Sequence, residues 1–165
     1  MVLTGSPAGG ALTQALPRGS LRRRPRFYRG GRGGERGGRG VDENVLGEQI
    51  LGCALKVHRA LGPGLLESAY EACLAHEFEK ADIEFQRQLT LPLVYDGVSI
   101  DAGYRLDLLV ANCVVVEIKA IDKIADVHRA QLLSYLRLGG YRLGYLLNFN
   151  VALMRDGIVR LANGL

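Results

Sequence analysis

The chain holds only three cysteines, Cys53, Cys73 and Cys113, far apart and without a CxxC pair. That count and spacing argue against a disulfide framework or a zinc site, and fit the reduced thiols of a cytoplasmic protein. No apolar run approaches the roughly 20 residues that a membrane helix needs. No apolar stretch follows Arg22-Arg23-Arg24, so no secretory signal is expected. What is present is 165 residues, 48% of them hydrophobic, enough for one ordinary domain with a real core.

Charge is unevenly distributed. Residues 1–40 carry nine arginines against the single acid Glu35, a balance of +8, and 11 of the 22 glycines. The remaining 12 basic and 16 acidic residues lie in 41–165, a balance of −4. The basic character therefore belongs to the N-terminal segment alone. With no hydrophobic periodicity to offset its ordering entropy, segment 1–40 is expected to be a disordered Arg/Gly-rich extension. Its Arg-Gly-Gly repeats, preceded by Phe27 and Tyr28, are of a kind that adds non-specific nucleic-acid binding. The plainer expectation, a non-functional extension from a start assigned too far upstream, is preferred. The Arg-rich, acid-poor composition also suits a transit peptide, but the glycines oppose an amphipathic helix.

Periodicity begins at Asp42. Val45, Ile50, Leu51, Ala54, Leu55, Val57, His58 and Leu61 recur at helical spacing, with Asp42 or Asn44 as N-cap and Gly62-Pro63-Gly64 as stop. A second helix is predicted over residues 65–81, with an apolar stripe of Leu66, Ala69, Tyr70, Cys73, Leu74 and Phe78. Strands follow near 83–89, 91–95 and from Val98 towards Asp101, with a hairpin turn at Asp96-Gly97. A helix from Asp126 to about Leu138 presents His128, Gln131 and Tyr135 on one stripe and Leu132, Leu133 and Leu136 on a buried one. A buried strand over 142–147 comes next. A closing hairpin then pairs 151–154 with 158–161, turned at Asp156-Gly157. The order suggests an α/β sandwich with one mixed sheet.

The stretch YRLDLLVANCVVVEIKA, residues 104–120, reads as two apolar strands with three misplaced charges: Asp107, Glu117 and Lys119. A charge in such surroundings costs several kcal/mol, roughly, unless it is paired or binds a metal. Strand alternation puts Glu117 and Lys119 on one face. Asp107 joins them only if the connecting loop has an odd length. A three-residue loop, Ala111-Asn112-Cys113, pairs Val110 with Val114 and sets Asp107 opposite Glu117, and such loops often end in a left-handed residue. Two carboxylates and a lysine would then converge, enough to hold a hard divalent cation and manage a water beside it. The alternative is a structural ion pair in a half-buried sheet.

Asp107, nine residues, then Glu117-Ile118-Lys119 resembles the D-x(n)-(D/E)-x-K signature of the PD-(D/E)XK nuclease superfamily. Gly64-Leu65-Leu66-Glu67-Ser68-Ala69-Tyr70 resembles the motif that names the GxxExxY family within it. The likeness continues through GYRLDLL (103–109), VEIKA (116–120), AQLLSYL (130–136), LLNFN (146–150) and the closing Asn163-Gly164-Leu165. It covers residues 44–165. The resemblance implies a restriction-endonuclease-like αβββαβ core in residues 41–165: a mixed β-sheet flanked by helices, with an extra N-terminal helix and a C-terminal β-hairpin.

By the same resemblance, Asp107 and Glu117 would ligate a metal, with the Ile118 carbonyl as a further oxygen ligand. Lys119 would orient or deprotonate the attacking water or stabilise the transition state. Glu67 matches an acid that the first core helix lends to the metal site, and Gln131 a polar residue that the second core helix adds at its rim. Tyr70 and Tyr135 are candidate phosphate or sugar contacts, or else packed aromatics. Arg105, at the same strand parity as Asp107, would meet a phosphate or pair with a carboxylate. Mg²⁺, or Mn²⁺ in its place, suits such an oxygen-rich site.

The implied partner is nucleic acid, DNA or RNA, with no membrane, and a homodimer through the apolar C-terminal hairpin is compatible with the likeness. The implied activity is metal-dependent phosphodiester hydrolysis. A non-catalytic accessory or nucleic-acid-binding module with the same fold is the alternative, favoured by the negative core. His58 is read as a helix-end group, His76 as a solvated helix residue and His128 as a neighbour of Gln131. Arg137, Arg142 and Lys123 are candidate backbone contacts.

Overall fold

The computed structural model describes residues 42–100 and 103–164, so the extension at 1–40 lies outside the described residues. Helix α1 (Glu43–Leu61) starts where the Asp42 carboxylate accepts bonds from the amides of Asn44 at 2.9 Å and Val45 at 3.4 Å. It stops at Gly62, whose φ of 65° is open to glycine and whose amide closes onto the His58 carbonyl. Helix α2 (Glu67–Lys80) follows at once. Leu66, expected on its apolar stripe, is instead its N-cap and is 77% exposed; Tyr70, Leu74, Ala75 and Phe78 form the buried face.

Five strands make one mixed sheet in the order β1 (Phe85–Thr90), β4 (Arg105–Val110), β5 (Val114–Lys119), β6 (Leu143–Asn148) and β7 (Ile158–Ala162). Only β5 and β6 run parallel, and helix α3 (Asp126–Gly139) makes the crossover between them. Strands β2 (Leu93–Tyr95) and β3 (Val98–Ile100) form a separate two-stranded hairpin, so the expected single sheet is two. Their turn at Asp96-Gly97 has φ of 50° and 75°, as a two-residue hairpin loop requires.

The run Val114-Val115-Val116 needs no alternation of polarity, because both faces of β5 are covered. Val114, Val116 and Ile118 pack with α1 and α2 residues such as Ile50, Ala54, Leu74 and Phe78. Val115, Leu109 and Leu146 pack with Leu132, Tyr135 and Leu136 of α3. Helices thus cover both faces, and α2, β1, β4, β5, α3 and β6 supply the αβββαβ order expected, preceded by α1.

The C-terminal hairpin has other partners than expected. Residues 151–153 are bends and 154–157 a 3₁₀ turn, and β7 pairs antiparallel with β6. A Cβ on Gly157 would run into the Asn148 carbonyl, so glycine lets the chain return this close to the end of β6. No helix among the described residues is long and apolar enough to cross a membrane.

Candidate metal and phosphodiester site

The β4–β5 connection has the odd length that the charges demand. Val110 pairs with Val114, Leu109 with Val115 and Leu108 with Val116, so the register places Asp107 next, opposite Glu117. The left-handed residues of this loop are Ala111 (φ 45°) and Asn112 (φ 56°), not its last residue as expected. Beyond Leu108 the ladder stops. Asp107 Oδ2 takes over the next position and accepts the Ile118 amide at 2.8 Å. The Lys119 carbonyl accepts the Phe149 amide and so faces β6, which leaves the polar backbone of Ile118 turned towards β4. The Ile118 carbonyl therefore lies on the Asp107 side, as its expected part as an oxygen donor requires.

Glu117 and Lys119 share a face and touch, Nζ to Oε1 at 2.9 Å. Glu117 is only 3% exposed, and its Oε2 is buried with no hydrogen-bond partner. Burial, reinforced by the Asp107 charge, pushes its carboxyl up to about 7 despite Lys119 and the Asp107 backbone amide. Burial also raises Asp107; the Ile118 amide and Lys119 oppose this, while the charges of Glu71 and Glu67 add to it. For Lys119, burial acts to lower the ammonium, but the Glu117 carboxylate outweighs it and the net shift is upward.

Three segments surround this pair. Glu67, at the exposed N-terminus of α2, accepts the amide of Ala120, the residue after Lys119, at 3.0 Å. The turn before it is fixed by Tyr70, whose hydroxyl donates to the Gly62 carbonyl at 2.7 Å and accepts the Leu65 amide at 3.1 Å. Tyr70 is fully buried and stacked on Phe149 at 4.5 Å. Its expected contact with substrate is thereby corrected: both hydroxyl functions are spent on the turn that aims Glu67.

From α3, Gln131 bonds the Tyr135 hydroxyl at 2.6 Å. Tyr135 is 4% exposed and meets Tyr104 edge-on. Burial raises its phenol against the Gln131 hydrogen bond, and the charges of Glu117, Lys119 and Asp107 act on it. Arg105 is exposed on β4, where simple parity with Asp107 is not a guide to its face. Leu106 and Leu109 pack in one cluster although they are three residues apart, so the alternation breaks between them.

The histidines lie elsewhere. His58 is nearly buried with Nε2 on the Val151 carbonyl at 2.8 Å, His76 is exposed beside Glu79, and His128 Nδ1 accepts the Ala125 amide at the start of α3. Lys123, Arg137 and Arg142 are exposed.

Sequence reasoning missed Glu71, Arg87, Gln88 and Asn148. Glu71 is a buried acid on α2; Oε1 accepts Arg87 Nε at 2.8 Å and Oε2 accepts Gln88 Nε2 at 2.6 Å. Its i+4 spacing from Glu67 was the available signal. Asn148, buried at the end of β6, bonds both the amide and carbonyl of Ile121 and fixes the segment that leaves β5.

The donor set suits a hard divalent cation. Glu117 Oε2 is buried with no hydrogen-bond partner, and Asp107 accepts the Ile118 amide through Oδ2. Among the described residues no three His, Cys, Asp or Glu side chains form a metal-binding group, and Glu67 binds the Ala120 amide through Oε1. Two carboxylates fit a cation that keeps waters and takes phosphate oxygens, as Mg²⁺ does.

A family profile matches residues 44–161, and this chain belongs to the PD-(D/E)XK nuclease superfamily. No curated protein and no solved structure gives a match.

Proposed function

We propose that this member of the superfamily hydrolyses phosphodiester bonds in nucleic acid, with Asp107, Glu117 and the Ile118 carbonyl holding Mg²⁺ or Mn²⁺. The observation that carries the reading is the buried, unpartnered Oε2 of Glu117, a few atoms from a second carboxylate and a lysine. Glu77 also has an unpartnered Oε2 within a Lys80 ion pair, so what sets Glu117 apart is its deep burial together with the Asp107 charge.

A bound divalent cation supplies Lewis acidity and a water of lowered pKa. The chain's residues supply the rest. Asp107 is held at the open end of the β4–β5 ladder by the Ile118 amide. Glu117, proton-bearing in part at neutral pH, gives up that proton when it ligates. Lys119 spends one N–H on Glu117 Oε1 and keeps two donors for water or phosphate. Glu67 fixes the Ala120 amide just beyond, and Gln131 with Tyr135 lines the α3 side.

Residues 41–165 carry a balance of −4, which favours a second reading, an accessory module without hydrolytic activity. One experiment separates the two: labelled single- and double-stranded DNA and RNA are incubated with the full chain and Mg²⁺. Mg²⁺-dependent products ending in 5′-phosphate are expected, with the rate in Lys119→Ala reduced roughly 10²–10⁴-fold and metal binding retained. Cleavage equal in parent and variant would refute the site. Binding without cleavage would leave the accessory module.

A further inference from the structure

Strand β4 changes face at Asp107. Leu108 and Val110 pack in the α1/α2 cluster, whereas Leu109 and Leu106 both pack in the α3 cluster. Residues three apart in a regular strand point to opposite faces. The neighbouring strand β1 breaks at the same level: Phe85 packs with α2's cluster and Leu89 with α3's, although four residues separate them. Between them Gln88 has a φ of 52°, a strained left-handed conformation for this side chain. The β1–β4 register runs Phe85↔Val110, Gln86↔Leu109 and Arg87↔Leu108, then Leu89↔Leu106 and Thr90↔Arg105. It skips only Gln88 and the residue that would face it, Asp107.

Such a conformation persists only if its surroundings hold it. Here Glu71 reaches across from α2 and takes both residues at the break, Arg87 through Oε1 and Gln88 through Oε2. Glu71 is 7% exposed, and the two strands are paired with each other on either side of the break it spans. The paired break in β1 and β4 leaves the Asp107 carboxylate beside β5 and on the Ile118 amide.

We infer that Glu71 is a positioning residue. By tethering Gln88 it maintains the left-handed break in β1, and that break turns Asp107 towards Ile118 and the gap where oxygen donors converge. The inference rests on the reading of Asp107 as a site carboxylate only for its functional consequence. The placement itself can be tested with no metal present.

The test is amide hydrogen exchange in the full chain, read by NMR, for the parent, Gln88→Gly and Glu71→Asp. Glycine adopts the same φ without strain but has no side chain to tether. Aspartate keeps the charge and withdraws the carboxylate from Gln88. Glu71→Asp is expected to lose roughly tenfold or more of Ile118 amide protection, the scale of one charge-assisted bond, whereas Gln88→Gly, which keeps the break without a tether, should retain it. The Val115, Glu117 and Lys119 amides, which belong to the β5–β6 side, should keep theirs.

Unchanged Ile118 protection in Glu71→Asp would overturn the inference, as would an equal loss in Gln88→Gly. So would an equal loss at all four amides, which marks a merely structural role. Calorimetric titration with Mn²⁺ then reads the consequence, a roughly tenfold weaker affinity in Glu71→Asp. Local loss at Ile118 in a protein whose parent binds no Mn²⁺ would sustain the positioning inference and contradict the metal reading.

Discussion

Glu117 concentrates the conflict between folding and chemistry in one side chain. Its carboxyl has an ordinary value of 4.5, which burial and the Asp107 charge raise to about 7. The folded state then holds the proton more tightly than the unfolded state. Its contribution to stability is fully present below pH 4.5 and is lost as pH rises through about 7. The difference corresponds to roughly 3 kcal/mol, with the opposing Lys119 pair already contained in that net shift. In Glu117→Gln this loss is absent. Urea denaturation with chelator should therefore find the variant matching the parent near pH 4.5 and exceeding it at pH 8. A stability gap that does not change with pH would mean that Glu117 is charged throughout, as in an ordinary salt bridge.

Among the elements, the 3₁₀ turn and β7 show most plainly how the sheet edge is finished. Gly157 sits where any Cβ would meet the Asn148 carbonyl, which is backbone and cannot swing aside. Asn148 in turn holds Ile121, just beyond Lys119. Gly157→Ala is expected to cost about 1–3 kcal/mol by overpacking. Thermal denaturation checks this, and an unchanged midpoint would mean that the turn moves freely.

The expectation at this end, a hairpin of 151–154 with 158–161, misread the turn. Asp156-Gly157 looks like a hairpin signal, but the glycine serves close approach to β6, a tertiary demand without a local signature. The β4–β5 hairpin was legible for the opposite reason. Three charges in an apolar run admit one loop length, and that length is observed. Alternation is interrupted on β4 before Leu108 and gave no hint of Gln88, because the strand break involves Glu71, a contact between α2 and β1. Tyr70 was visible as a motif residue, but only the fold shows its hydroxyl inside the α1–α2 turn.

At the scale of the molecule, basic residues dominate 1–40, while acids dominate the part that carries the fold. In the proposed reading, a nucleic-acid phosphate approaching the site meets a domain whose residues 41–165 balance to −4, and a divalent cation would provide the local positive charge. The central claim is therefore the cation site itself. Its most direct measurement is calorimetric titration of Mn²⁺ into the full chain at pH 7, beside Asp107→Asn and Glu117→Gln, in two buffers of different ionisation enthalpy. The account predicts one saturable site in the parent, with release of a fraction of a proton from Glu117, and loss of binding in both variants. Binding of equal strength in all three proteins would contradict it.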